Sequence, residues 1–213
     1  MKKLIKLSFF FSFLMLFVAC GDDDLEPTLA LDKDLSTGIN NAGDLQSVLN
    51  SAYDRMSATG YYGRNQIVMG DVRTDNAYST LNSNRFSDSD MEYSPTGSGP
   101  WTTIYGVIAI CNIVIGVDPA SLEGDQGLIN HTIGQAHAIR ALAHFDLLQD
   151  YGQHFVTGQG GAGALGVPYV KTYKDPANLT PARDTAAQNL GDIVADLQGC
   201  LLYTSDAADE VDR

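Results

Sequence analysis

Residues 134–152 read GQAHAIRALAHFDLLQDYG. The stretch is dense in Ala, Leu and Gln, which are good helix formers, and contains no proline. Ala138, Ala141, Leu142, Phe145 and Leu148 recur at steps of three and four and predict the apolar face of a helix. The pattern extends back to about Leu128, runs to Tyr151 and closes at Gly152, a residue type favoured just past a helix end. Upstream, Pro100 stands where a first helical residue is favoured. From there Trp101, Ile104, Tyr105, Ile108, Cys111, Asn112 and Ile115 trace a second stripe that stops before Pro119. A short acidic turn, Glu123 to Gly127, joins the two segments, so they are predicted to pack as an antiparallel helical hairpin.

Two further helices flank this hairpin. Asp44 to Ala58 carries Leu45, Val48, Leu49, Ala52, Tyr53 and Met56 on one stripe, with Asn40 or Asn41 as its N-cap. The last amphipathic stretch runs from Asp184 through Leu190, Ile193, Val194 and Leu197, after Pro181 and Arg183. Between the first helix and the hairpin, Gly60 to Gly99 is rich in Asn, Ser, Asp, Gly and Tyr and shows no sustained period, which predicts a long irregular excursion. Loops of that length in a compact domain are usually functional or mobile. The fold class expected is mostly α, with long loops.

The amino terminus is a leader. Lys2, Lys3 and Lys6 precede the apolar run Leu7 to Val18, which is shorter than the roughly 20 residues a membrane-spanning helix needs. A charged start, an apolar middle and a small residue before the cleavage point define a secretory signal over residues 1–19. Cys20 directly follows Ala19, the arrangement of a lipoprotein signal, so its thiol is the expected lipidation site. Two or more acyl chains anchor stably where one does not. Residues 20–37 are polar and acidic and read as a tether. Gly21-Asp22-Asp23-Asp24 is similar to the signal that sends some Gram-negative lipoproteins to the cell surface. The carboxyl end reads differently. Cys200 through Glu210 resembles one frame of a transposon-based sequencing adapter, so residues 200–213 are set aside as adapter-derived, and a natural chain cut near Gly199 is expected.

The chain carries 13 basic and 26 acidic residues, a net charge of −13. The leader and the tail remove four of each sign, so the balance is unchanged. Such a surface repels nucleic acid, whose binding needs clustered Lys and Arg. It also disfavours attachment to anionic lipid, so membrane association is expected to rest on Cys20. Of 3 cysteines, Cys20 is the acylation site and Cys200 lies in the tail. Cys111 alone makes neither an internal disulfide nor a metal-ligand pair.

Four blocks, taken in order, resemble the amino-terminal part of the SusD/RagB family of nutrient-binding outer-membrane lipoproteins. They are Met69-Gly70-Asp71-Val72-Arg73-Thr74-Asp75-Asn76; Trp101-x-x-Ile104-Tyr105-x-x-Ile108-x-x-x-Asn112; Gly134-Gln135-Ala136-x-x-x-Arg140-Ala141-x-x-x-Phe145-x-x-Leu148-x-x-Tyr151-Gly152 with Gly166-Val167-Pro168; and Pro181-x-Arg183-x-Thr185 opening a helix that reaches Asp196-Leu197. Gln135 and His137 depart from the Glu and Lys common there. The resemblance covers nearly all of residues 20–199, less than half of a typical member. It implies tetratricopeptide-like helix pairs over residues 38–199, an incomplete SusD-like domain, and capture of oligosaccharides or sometimes peptides without catalysis. It also implies a TonB-dependent, SusC-like outer-membrane transporter as partner, an outer-membrane location facing the cell surface, and no cofactor. None of the family's ligand residues can be carried onto this chain one by one. A helical-repeat interaction scaffold and a lipid-anchored glycan hydrolase with catalytic carboxylates beyond Gly199 are the alternatives.

Individual residues are read against their plainer roles. Tyr61, Tyr62, Arg64 and Asn65 form the one local cluster with the makings of a contact surface, because sugars take aromatic faces and hydrogen-bonding groups. Trp101, on its helical stripe, is expected to pack, and Arg140 to pair a carboxylate or cap a helix. Asp71, Asp75 and Asn76 lack the spacing of a calcium loop and are expected to cap their own turns. His137 and His144 stand seven residues apart, too far for one ion, and read as core or solvated histidines. Gly158-Gln159-Gly160-Gly161-Ala162-Gly163 satisfies GxGxxG but follows a helix and precedes an extended stretch, the reverse of a dinucleotide site. No G-x-S-x-G is present. No metal site is expected.

Overall fold

Five helices organise the computed structural model, which describes residues 38–80, 82, 85–90, 100–154 and 158–209. They are α1 (Ala42–Ser57), α2 (Asn65–Val72), α3 (Trp101–Ile115), α4 (Gln126–Tyr151) and α5 (Ala186–Asp209). Short 3-10 turns lie at Ser87–Ser89 and Pro119–Ser121. Extended backbone pairs at two isolated bridges, Asn41 with Glu123 and Leu165 with Thr185. The mostly helical class read from the sequence is the observed one. The leader, Cys20 and the tether lie outside the described residues. Among those described, no helix is long and apolar enough to cross a membrane.

Local chemistry fixes the helix starts. Asn41 is the N-cap of α1, its side chain accepting from the Asp44 amide at 2.9 Å. Asp125 caps α4 by accepting from the Gly127 and Leu128 amides. Thr185 and Gln188 form a reciprocal capping box before α5: the Thr185 hydroxyl accepts from the Gln188 amide, and the Gln188 side chain accepts from the Thr185 amide. The α3–α4 pair is the antiparallel hairpin expected. The Trp101 amide at the start of α3 donates to the Tyr151 hydroxyl at the end of α4, 3.1 Å away. Ile104, Val107, Ile108, Cys111 and Val114 of α3 bury against Ile133, Ala136, Ile139, Ala143 and Leu147 of α4. α1 closes this core with Leu45, Leu49 and Ala52, and α5 packs along α4.

Three sequence expectations are corrected. α2 interrupts the excursion expected to be irregular; its segment NQIVMGDV, with Gly70 inside, has no amphipathic stripe to betray it, and Met69 and Val72 alone bury. The apolar face assigned to the central helix is rotated. Ala141 and Leu148 are buried, but Leu142 and Phe145 remain 39% and 38% exposed. α4 touches α1, α3 and α5, so most of its circumference is covered and a single stripe cannot describe it. Gly152 stands just past the end of α4, as expected, with φ −73. Glycine suits the position because a Cβ there would strike the Leu148 carbonyl. Finally, in α5 the stripe residues Leu190, Val194 and Leu197 face outward, and Ile193 alone of the four is buried.

The orientation of α5 follows from magnitudes. Leaving three aliphatic side chains half exposed forfeits about 1 kcal/mol each. Turning them inward would take Asp196 away from the buried Arg140, and an uncompensated buried charge costs about 3–5 kcal/mol. Asn189 would be lost from the interior as well. The polar demand wins.

Candidate functional site

The four residues singled out from the sequence do not form one surface. Tyr61 is fully buried, its hydroxyl donating to Asp146 Oδ2 at 2.6 Å, and this burial removes it as a contact residue. Tyr62 is half-buried and donates to the same oxygen at 2.7 Å. Two phenols on one carboxylate oxygen hold the Gly60–Gly63 turn against the last turns of α4. Burial pushes the Asp146 carboxyl above its ordinary range, against the two hydrogen bonds that pull it down. Arg64 lies over the Phe86 ring, 5.7 Å from its centroid, and donates through Nε to the Asn65 side chain. A turn further, Arg73 pairs with Asp150 at 3.2 Å. The cluster is a junction between the excursion and α4. Its open edge is supplied by Arg64, Asn65 and, further along, Tyr78, which is 77% exposed.

The densest polar construction lies between α4 and α5. Arg140 is buried and grips Asp196 with Nε and Nη2, while its Nη1 donates to Asn112 at 2.8 Å and to the Lys171 carbonyl. Asp196 also accepts from the Tyr169 hydroxyl at 2.6 Å and meets His137 Nδ1 at 3.0 Å. Burial alone would raise the Asp196 carboxyl. The hydrogen bonds from Arg140, His137 and Tyr169 and the guanidinium charge hold it well below the usual carboxylate range. His144, fully buried, sets its Nδ1 3.0 Å from the Arg140 carbonyl and accepts through Nε2 from the Val170 amide. Its ring stacks on Tyr169 at 3.7 Å.

These contacts share a purpose: they pin residues 166–171. The Tyr105 hydroxyl donates to the Pro168 carbonyl, the Asn112 side chain to the Val170 carbonyl, and Asp184 accepts from the Tyr169 amide. Asn189 brackets Val167, accepting from its amide at 2.7 Å and donating to its carbonyl at 2.9 Å. Arg183 adds bonds to the Gly166 and Tyr151 carbonyls. From this fixed base the chain curls out over residues 172–181 before entering α5. The curl encloses a groove of about 410 Å³ lined by Tyr169, Lys171, Lys174, Asn178, Leu179 and neighbours. A fixed aromatic floor under a polar rim is the combination expected of a small-molecule or saccharide site. The sequence reading missed this groove, since its residues are scattered along a loop with no motif.

The remaining residues take structural places. Trp101 packs on Tyr105 and edge-on to Tyr151, as expected. Arg140 pairs a carboxylate, also as expected. Of the histidines, His144 is core and His137 sits against Asp196 and Tyr203. Asp71 offers its carbonyl to Thr74 and Ala77, and no group of metal-ligating side chains gathers among the described residues. The GxGxxG segment is a turn with positive φ at Gly158 and Gly161, outside any strand-to-helix junction. Burial pushes the Cys111 thiol up to about 12, leaving it unreactive.

Comparison with known proteins bears on this architecture. A family model, SusD-like, described as starch-binding and associating with the outer membrane, matches residues 25–211. A SusD superfamily protein from Bacteroides thetaiotaomicron has a similar structure, with a TM-score of 0.65 and 27% identity; 76% of this chain covers 37% of that one. A Bacteroides vulgatus structure gives a TM-score of 0.61 and 28% identity over 78% of this chain and 38% of its own. A SusD-like carbohydrate binding protein from the same organism shares the fold at 20% identity and a TM-score of 0.59, over 78% and 36% of the two chains. The chain thus spans under two-fifths of the length of these structures. No curated protein matches it.

Proposed function

The chain belongs to the SusD-like family, described as starch-binding and associating with the outer membrane, and from that premise we propose that it is a surface lipoprotein that captures oligosaccharides for import. The match over residues 25–211 is the observation that carries this reading. Cys20 is the proposed lipid anchor, and a TonB-dependent, SusC-like outer-membrane barrel is the proposed recipient of the captured ligand. The role is binding without catalysis: the family is a binding family, and the polar network around Arg140 and Asp196 is buried and spent on holding the 166–171 segment. The groove beside that segment and the open edge at Arg64, Asn65 and Tyr78 are the surfaces available to a sugar.

Isothermal titration of the purified chain with starch-derived oligosaccharides tests the reading, with reducing-end release followed in the same samples. Saturable binding without new reducing ends is expected. Release of reducing ends would replace the binding role with hydrolysis, and absence of binding to any saccharide would remove the reading altogether.

A further inference from the structure

The described residues contain two lysines, Lys171 and Lys174, and both line the groove formed by the curl of residues 169–181. In a chain of net charge −13 this gathers both cations at one groove, whose lining also includes Asp175. Lys171 is tied at 2.7 Å to Asp192, and its ammonium stands 5.6 Å from the Tyr169 ring centroid. Lys174 differs. It is exposed, stands over the Tyr173 ring at 5.2 Å, and has no carboxylate within ion-pair distance among the described residues. The carboxylates nearby are already committed: Asp175 to the Ala177 amide, Asp184 to the Tyr169 amide, Asp192 to Lys171. Lys174 also adopts φ 46, a left-handed conformation that side-chain-bearing residues rarely take.

We propose that this groove is a subsite for a saccharide bearing a carboxylate, a uronic-acid residue of an oligosaccharide, with Lys174 facing the carboxylate. The inference rests on the glycan-capture reading above and names the substrate class within it. Tyr169, its ring backed by His144, lines the groove and suits the C–H surface of a sugar ring. Thr172 and Asn178 offer a hydroxyl and an amide for ring hydroxyls. One uncommitted cation amid an acidic surface suits a short acidic oligosaccharide, because a long polyanion would meet repulsion beyond the groove. An acidic peptide shares the carboxylate but lacks the flat apolar face that Tyr169 accommodates.

The experiment titrates the full chain with trigalacturonate, with its neutral methyl ester and with a neutral starch oligosaccharide, in wild type, Lys174→Met and Lys174→Arg. Lys174→Met keeps the aliphatic stem and removes the charge at an exposed position, so the fold is undisturbed. The acid is expected to bind about fivefold more tightly than its ester, the scale of an exposed ion pair. Lys174→Met should abolish that preference, Lys174→Arg should keep it, and high salt should shrink it. Equal binding of acid and ester, a preference that survives Lys174→Met, or equal competition by an acidic peptide would overturn the proposal. Binding of starch oligosaccharide with none of trigalacturonate would overturn it too and leave glycan capture standing. Binding of no saccharide would remove both.

Discussion

Arg140 closes a two-pronged grip on Asp196 from 56 residues away in sequence, with Nε to Oδ2 at 2.8 Å and Nη2 to Oδ1 at 2.5 Å. The same guanidinium holds Asn112 of α3 and the Lys171 carbonyl, so one side chain ties together three elements. Breaking one side of a buried pair costs about 3–5 kcal/mol, whereas replacing both with apolar groups can be nearly neutral. Arg140→Met is therefore expected to lose stability on that scale, and Arg140→Met/Asp196→Leu to recover most of it. Arg140→Lys should fall between, since an ammonium cannot reproduce the fork. Urea unfolding of the three variants measures this. A single Arg140→Met within 1 kcal/mol of wild type would show the network to be ornamental.

The shared carboxylate at Asp146 makes a graded prediction. Tyr61→Phe removes a buried donor and leaves a desolvated oxygen one bond short, a loss of about 1–3 kcal/mol. Tyr62 is half-buried and water can replace its hydroxyl, so Tyr62→Phe should cost about 1 kcal/mol or less. Both phenols pull the Asp146 carboxyl downward against burial, so either substitution should move its titration further up, as read by carboxyl-carbon NMR. Equal losses for the two variants would contradict the burial difference.

The hairpin, its caps and the packing role of Trp101 are legible in the sequence because each depends on near neighbours: a period, a proline, an Asn three residues before an Asp. The pairing of Arg140 is legible only as a class, because residue type says that a buried guanidinium needs an anion but not which one. The rotation of α5 is hidden for the same reason. Its leucines announce a stripe, yet the deciding partner of Asp196 lies on another helix. Tyr61 misleads because an Asn- and Gly-rich context implies exposure, while the acceptor that buries it is contributed by α4. The groove escapes because its residues lie on a loop folded over a base that distant side chains pin.

Gly166 tests how tightly that base is set. A Cβ at this position would run into the Asn189 amide, which brackets both polar groups of Val167. Gly166→Ala should expel Asn189 and strand two buried backbone groups, costing about 2–4 kcal/mol at about 1–2 kcal/mol each. The groove should loosen with it, seen as faster amide exchange at Val167 and Val170. Val170 also donates to His144, so protection lost at Val167 alone would mean that the two anchors act independently.

Leu190, Val194 and Leu197 are 46%, 51% and 46% exposed and succeed one another on one face of α5. A contiguous apolar strip of this kind on a soluble domain marks a surface that seeks cover. The purified chain is expected to self-associate through it. Leu190→Ser/Val194→Ser/Leu197→Ser should shift sedimentation velocity profiles toward monomer at unchanged helix content, because none of the three contributes to the α4 interface as Ile193 does. A wild-type chain that is monomeric at the same concentration would refute this.

His144 sets an acid limit on the fold. Burial lowers its pKa from 6.5 to about 4, and the surroundings it faces are Arg140, Asp196, Tyr105, Tyr169 and, on α5, Asp192. The ring is neutral in the fold because Nε2 must accept from the Val170 amide, and a proton there would set two donors face to face. The folded pKa lies below the unfolded one. Between the two values the unfolded chain therefore binds the extra proton, and stability falls as pH drops from about 6.5 to about 4. Over roughly 2.5 pH units this is on the order of 3 kcal/mol. Asp146 works in the opposite direction, since burial raises its pKa and the fold takes up its proton first. Asp196, held low, loses its contribution only below the ordinary carboxylate range. Substituting the histidine isolates its share: His144→Gln is expected to lower stability at neutral pH and to flatten the slope between pH 6.5 and 4, leaving the steeper acid loss from Asp196 in place. An unchanged slope in that variant would assign the acid limit to the carboxylates alone.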